Sequence, residues 1–314
     1  MAELAAVPPL LRADQAEPRY TEALQTAVAA CAADTAGQTC YICMDGTAEE
    51  GLVRGCACRG AAGVAHVSCL ARQAQVVAER TFVRWHTCGL CEQRYHGVVY
   101  CALGWARWKT YMGRPEADRV RMNAMTVLGH GLFEADRPEE ALTVQEADLA
   151  TRRRRGVSAK SMLAAQSNLA CTYTAIGRLE EAMRMRRELY AGWSKFMGED
   201  YKLTLVAANN YASSLSSLQR HEEAKSLMRK TMPVARRVLG ENDEATLRAR
   251  WVYAMALHLD PVATLDDLRE AATTLEEMTG IARRVFGGAH PLVGDFESAL
   301  RDSRTQLAWK RSIN

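Results

Sequence analysis

The sequence predicts a mostly α-helical chain in which a small cysteine-rich domain precedes an α-helical solenoid. Three observations carry this. Nine of the ten cysteines fall at or before Cys101 in a chain of 314 residues. Most of those nine come in closely spaced pairs. From about residue 118 the chain is rich in Ala, Leu, Glu and Arg, and its landmarks recur at a spacing of 42. A helical hairpin of that length cannot bury its apolar face alone, so successive hairpins must stack.

Composition narrows the class further. Hydrophobic residues are 48% and charged residues 25%, the balance of a globular protein rather than a disordered one. The 40 basic and 37 acidic residues leave a formal charge of +3, which gives no reason to expect nucleic acid as a partner. No apolar run approaches the roughly 18 residues of a membrane span. The start, MAELAAVPPLLRADQ, lacks a basic region followed by a long apolar one, so no secretory signal and a cytoplasmic setting are expected. Clustered cysteines in that setting point to metal rather than disulfides.

Taken in order, residues 1–36 are alanine-rich, with Pro8 and Pro9 early; a short helix over 19–33 is allowed, and the segment reads as a flexible tail. Residues 37–98 hold the cysteine block. A connecting helix is expected over 99–117, where CALGWARWKTYMG looks amphipathic and places Trp105 and Trp108 to pack at the join. Residues 118–314 form the repeat domain. There Gly156, Gly198 and Gly240 keep the 42-residue spacing, as do Leu169-Ala170, Tyr211-Ala212 and Tyr253-Ala254. GRLEEA (177–182) and QRHEEA (219–224) follow the same period, and DRPEEA (136–141) precedes them by 41. RRVLG (236–240) returns as RRVFG (283–287) after 47, so extra residues are expected in the turn near HLDPVATLDD (258–267). Small residues allow close helix contact, and each terminal glycine suits a left-handed cap.

The cysteine block reads as Cys40-x-x-Cys43, Cys56-x-Cys58, His66-x-x-Cys69 and Cys88-x-x-Cys91. These are eight donors, enough for two tetrahedral zinc ions, and two donors from one tight turn can reach a single ion about 2.3 Å from each sulfur. A histone-reading PHD finger has the same donor order. Its second pair is more widely spaced, however, and its tryptophan lies two positions before the seventh ligand, where Trp85 lies three before Cys88. A thioredoxin-like role for Cys88-x-x-Cys91 lacks the βαβ context it needs. His86 and His96 fall outside the pattern, and Cys31, Cys101 and Cys171 read as unpaired thiols, with Cys171 packed as a small apolar residue.

CYIC, CACRGAAGVAHVSCL and CGLCEQRYHG resemble the RING-CH domain of RING-type ubiquitin ligases over about 60 residues. The resemblance implies a cross-brace: Cys40, Cys43, His66 and Cys69 on one zinc, and Cys56, Cys58, Cys88 and Cys91 on the other. It also implies a ubiquitin-conjugating enzyme as partner, docked on Ile42, Gly89 and Leu90, with no covalent intermediate on this chain. Two positions depart from the family pattern. Gln73 stands where RING-CH domains carry tryptophan, and Glu92 follows the last ligand where many RING ligases carry a cation, with Arg94 two residues on. These departures keep a non-catalytic zinc-stabilised scaffold as the alternative. The repeats resemble tetratricopeptide repeats in the 42-residue form of kinesin light chains, through N-L-A-x-x-Y at 168–173 and the turns VLGEND (238–243) and VFGGAHP (285–291). That resemblance implies a groove for a protein or peptide substrate, lined by Asn168, Asn209 and Asn210. Arg152–Arg155 reads as a solvated helix end, and leaves nuclear entry as a second setting. The first 108 residues contain no lysine, which matches the dominance of arginine throughout the chain. Seven thiolates and two divalent ions would bring the formal charge of +3 to about zero.

Overall fold

A computed structural model describes residues 8–46, 49–77, 82–287 and 291–312. The described residues hold twelve α-helices and no named strand. They form two compact units, one running to Ile176 and the other starting at Gly177. The first unit therefore contains the cysteine block together with the first helical hairpin of the repeats, and compactness does not divide at 117/118.

In the first unit, a 3₁₀ turn at Pro9–Leu11 leads into α1 (Ala13–Thr35). The expected tail is thus corrected over 13–35; residues 1–7 lie outside the described residues. Ala16, Ala23, Ala27, Cys31 and Thr35 form a buried stripe one or two turns apart, and their small side chains bring α1 close to its neighbours. The stripe has little hydrophobic mass, which is why alanine enrichment alone read as a tail. Ion pairs hold the polar face: Arg19 with Glu140, Glu22 with Arg137, and Glu17 with Lys109.

After the zinc-loop region come α2 (Val67–Val77), a 3₁₀ turn at Val83–Trp85 and α3 (Gly97–Tyr111). The amphipathic reading of α3 is corrected: every residue from Val99 to Trp108 is buried. α3 packs against α1, α2 and α4 (Arg119–Glu134), so no face of 99–108 is left for water. Trp105 and Trp108 are 0% and 1% exposed. α5 (Pro138–Arg155) and α6 (Ala159–Ala175) complete the unit. One apolar core runs from Leu11 through the zinc loops to Val144.

The second unit contains α7 (Leu179–Met197), α8 (Lys202–Ser217), α9 (His221–Leu239), α10 (Glu244–His258), α11 (Leu265–Phe286) and α12 (Pro291–Ser312). Consecutive helices pack on each other from α7 to α12. Its core centres on Ala212, Ala224, Met228, Leu247, Ala254, Ala271 and Phe296.

The repeated motifs now have physical roles. Arg137, Arg178 and Arg220 each pair with the glutamate three residues on, which pins the start of α5, α7 and α9. The alanine after each E-E is buried in a helix contact: Ala141 is 0%, Ala182 1% and Ala224 0% exposed. Gly198, Gly240 and Gly287 take φ of 87°, 86° and 82° with ψ near the extended range, a region open in practice to glycine alone. The lengthened turn runs from Leu259 to Thr264, where the preceding repeat needs only Leu218 to Arg220. Asp260 anchors it, accepting from the Val262 amide and pairing with buried Lys225 at 2.8 Å. In VFGGAHP, Gly288, Ala289 and His290 lie outside the described residues.

Candidate metal centre

Two loops of the first unit fold alike. In CYICMD the Cys40 amide donates to the Asp45 carbonyl, the Met44 amide to the Cys40 carbonyl, and the Ile42 amide to Cys40 Sγ. In CGLCEQ the Cys88 amide donates to Gln93, the Glu92 amide to Cys88, and the Leu90 amide to Cys88 Sγ. Met44 and Glu92 occupy the same place in each knuckle, both left-handed at φ 63° and 58°. Burial opposes ionisation of the Cys40 thiol, but the backbone amides of Cys43, His66 and Ile42 outweigh it and lower its value. Between the knuckles, Val53 and Ala65 form a two-bond bridge at 2.9 and 3.0 Å. Gly63, at φ +76°, lies under the C-x-C pair; a Cβ there would come within 2.9 Å of both Cys56 Sγ and Cys58 Sγ, so the loop closes only over glycine.

This folding gathers the donors into the two groups expected. Cys40, Cys43, His66 and Cys69 form one; Cys56, Cys58, Cys88 and Cys91 form the other, with donor atoms within 4.8 Å of each other in each. Because each group joins pairs that are not neighbours in sequence, the arrangement is an interleaved cross-brace. All ten cysteines are free thiols.

The spacing suits zinc. Tetrahedral bonds of about 2.3 Å to sulfur and about 2.05 Å to nitrogen put two sulfurs about 3.8 Å apart and a sulfur and nitrogen about 3.6 Å apart. Cys58 Sγ and Cys88 Sγ are 3.8 Å apart, and His66 Nδ1 is 3.4 Å from Cys43 Sγ and 3.7 Å from Cys69 Sγ. His66 thus turns Nδ1 to the sulfurs, leaving Nε2 buried without a partner. Burial pushes the Cys56 and Cys69 thiols up, and nearby thiols push Cys69 up further. Burial opposes ionisation of Cys91 too, but the Gln93 amide and the neighbouring thiols outweigh it and lower the value. Four sulfurs so close cannot all ionise alone; a divalent cation is the group that makes them thiolates together. These are two donor sets that could each hold a zinc ion.

The expected docking residues lie on the knuckles. Ile42 and Gly89 are half-buried, and Leu90 is 52% exposed. Gln73 of α2 lies between the knuckles: its Oε1 accepts from Tyr41 Oη at 3.4 Å, and it faces Gly89. Polar Gln73 therefore occupies the gap where a tryptophan is the family pattern.

The three asparagines separate. Asn168, in the first unit, is half-buried on α6. Asn209 and Asn210 line a cavity of about 380 Å³ between α8 and α10, with Lys202, Ser213, Arg248 and Trp251. Asn209 Oδ1 and Trp251 Nε1 are themselves buried, without hydrogen-bond partners. Trp251 was missed in the sequence because it falls beside the repeat landmark Tyr253-Ala254 rather than on it. Cys171 is exposed, which corrects its expected packing: Leu169, Ala170 and Thr172 take the inward faces of α6 instead. The Arg152–Arg155 run is exposed at Arg153, Arg154 and Arg155, as expected, and is corrected at Arg152. Arg152 is bound to Asp148, Thr126 and Ser161, while the exposed Arg154 and Arg155 pair with Glu116 at the surface. No helix among the described residues is long and apolar enough to cross a membrane.

Comparison with protein families matches residues 40–91 to the RING-variant domain, and residues 162–200 and 204–244 to the tetratricopeptide repeat. Among solved structures the chain resembles nearly identical TPR-like repeats described as a kinesin light chain from Podosopora anserina. For a point variant of those repeats the TM-score is 0.52, and for the parent 0.51. Each is 16% identical, and the likeness covers 69% of this chain and 95% of the other. At that identity it shows the fold alone. Comparison with curated proteins gave no match. Residues 40–91 are a RING-variant domain, and tetratricopeptide repeats follow it.

Proposed function

We propose that the chain is a RING-type ubiquitin–protein ligase whose zinc domain holds a ubiquitin-charged conjugating enzyme while the repeats hold the protein to be modified. The observation that supports this is the pair of interleaved donor sets, with Tyr41 of one knuckle and Gly89 of the other both beside Gln73; Ile42, Gly89 and Leu90 are the residues that would dock the enzyme. Two zinc ions per chain, when bound, supply the cross-links that hold the two knuckles. Cys40, Cys43, His66 and Cys69 would hold one, and Cys56, Cys58, Cys88 and Cys91 the other. Every patterned cysteine is then a ligand, so none serves as a nucleophile, and the contribution to rate is positioning of the thioester beside an acceptor amine. The substrate-side site is the α8–α10 cavity. Asn210, Ser213 and Arg248 on its lining would offer hydrogen bonds to a peptide backbone, beside Asn209 and Trp251.

Purified full chain incubated with a panel of conjugating enzymes is expected to build ubiquitin chains, and Leu90→Arg and Cys56→Ser are each expected to abolish them. A panel with no chains, from protein holding two zinc ions, would refute ligase activity. The scaffold reading is favoured by Gln73 and Glu92. It predicts that result, and also that Gln73→Trp, by refilling the apolar platform, confers activity the parent lacks.

A further inference from the structure

Arg107 is the one charged side chain among the described residues with 0% exposure. None of its three guanidinium nitrogens meets an acceptor. It lies on α3, sixteen positions beyond the last patterned cysteine and outside the matched 40–91 segment. Burial lowers its pKa to about 10, so it stays a cation near neutrality. A buried, unpaired cation is costly, and only one kind of compensation surrounds it. Its Cζ is 5.1 Å from the ring centre of Phe82 and 5.6 Å from that of Trp85.

Those two rings bound the turn that feeds the last donor pair. The Trp85 amide donates to Phe82, the Thr87 amide to Val83, and Arg84 Nη1 to the Cys88 carbonyl at 3.0 Å. Thr87 then bridges to Arg94, and the Tyr95 amide donates to the His86 carbonyl, closing the hairpin around Cys88 and Cys91. A guanidinium with no acceptor is stable only while both ring faces stay turned toward it, so it dictates where the turn sits on α3.

We infer that Arg107 is a positioning residue for the last donor pair: held between Phe82 and Trp85, it anchors the turn that aims Cys88 and Cys91 at the second metal site. The inference rests on the zinc reading for what the pair holds. It also separates two quantities that usually move together. Arg107→Met removes a buried unpaired cation and so leaves overall stability equal or higher, yet it frees the turn.

The test loads the full chain with cadmium-113, which gives one resonance for the four-sulfur set and another for the three-sulfur, one-nitrogen set, and follows loss of each to a chelator. In Arg107→Met the four-sulfur set is expected to lose metal about tenfold faster, the equivalent of the two lost cation–π contacts. The other set should keep its rate, and the urea midpoint should not fall. Phe82→Leu should shift the same set in the same sense by a smaller factor, and it decides the matter alone if Arg107→Met does not fold. Equal acceleration of both sets with a lower midpoint, or no acceleration of either, would overturn the inference. A parent protein that takes up fewer than two cadmium ions would instead overturn the zinc reading, and this assignment with it.

Discussion

Substituting Gly131 by alanine should loosen the seam that ties the zinc domain to the first helical hairpin. α3 and α4 cross with their backbones in contact. A Cβ at Gly131 would lie 2.8 Å from Cys101 Cα, 2.9 Å from the Tyr100 carbonyl oxygen and 3.1 Å from the Cys101 nitrogen. Carbon contacts are comfortable at about 3.5–4.0 Å, so the helices must part by roughly 0.6–1 Å, a gap that forfeits a quarter to a half of each dispersion contact along the seam. All three obstacles are backbone atoms, which cannot swing aside as a side chain would. That places the cost at or above the upper end of the usual overpacking range, about 3 kcal/mol. Alanine returns about 1 kcal/mol through helix propensity, so the net loss is about 2 kcal/mol. Gly294 of α12 is the internal control. A Cβ there meets nothing within 4 Å, and Gly294→Ala should stabilise by up to about 1 kcal/mol. Urea unfolding of zinc-loaded full chain gives both numbers, and hydrogen exchange assigns the Gly131 loss to α3 and α4. A Gly131→Ala protein as stable as its parent, beside a stabilised Gly294→Ala, would refute the close-crossing argument.

Chelation of zinc should raise hydrogen exchange across α1 and α3 as well as the loops, because Cys40, Cys56 and Cys88 belong to the same core as Ala27 and Trp105; unchanged protection of α1 would contradict that shared core. Asp260→Asn should cost about 3 kcal/mol, the low end for removing one partner of a buried pair, because Lys225 keeps Glu222. Lys225 holds the Asp260 carboxyl below its ordinary value, so its contribution is full above the ordinary carboxylate range and is lost as pH falls through the lowered one. The parent should therefore shed stability on acidification that the variant never had, and parallel pH profiles would count against the pair. Arg152→Ala should cost about 3 kcal/mol, since it leaves Asp148 buried at 3% exposure without its cation. Arg153→Ala, one residue on, should stay within about 0.5 kcal/mol, and equal effects at the two positions would show that the run is uniformly solvated.

The donor sets and the repeats were legible because both are local patterns. A metal pair is made within one tight turn, and a stacked hairpin repeats its contacts at a fixed period. Cys40, Cys43, His66 and Cys69 could be assigned together only through the family likeness, yet each pair announced itself by spacing. α1 was legible in part: Ala16, Ala23, Ala27 and Cys31 keep helical spacing, but alanine carries too little apolar area for that stripe to stand out from a tail. α3 misled for the opposite reason, since a segment of Ala, Gly and Trp reads as one-sided until its neighbours are seen to cover every side.

The sequence by itself determined the donor pairs and the 42-residue period of the repeats, because turns and ligand pairs depend on residues within a few positions of each other. Only the tertiary structure decided that α1 belongs to the zinc unit, that Arg152 pairs with buried Asp148 while Arg153 does not, and that Arg107 lies between Phe82 and Trp85. Those outcomes depend on which side chains meet across tens of residues, and an arginine has the same letter whether water, a carboxylate or two aromatic rings surround it.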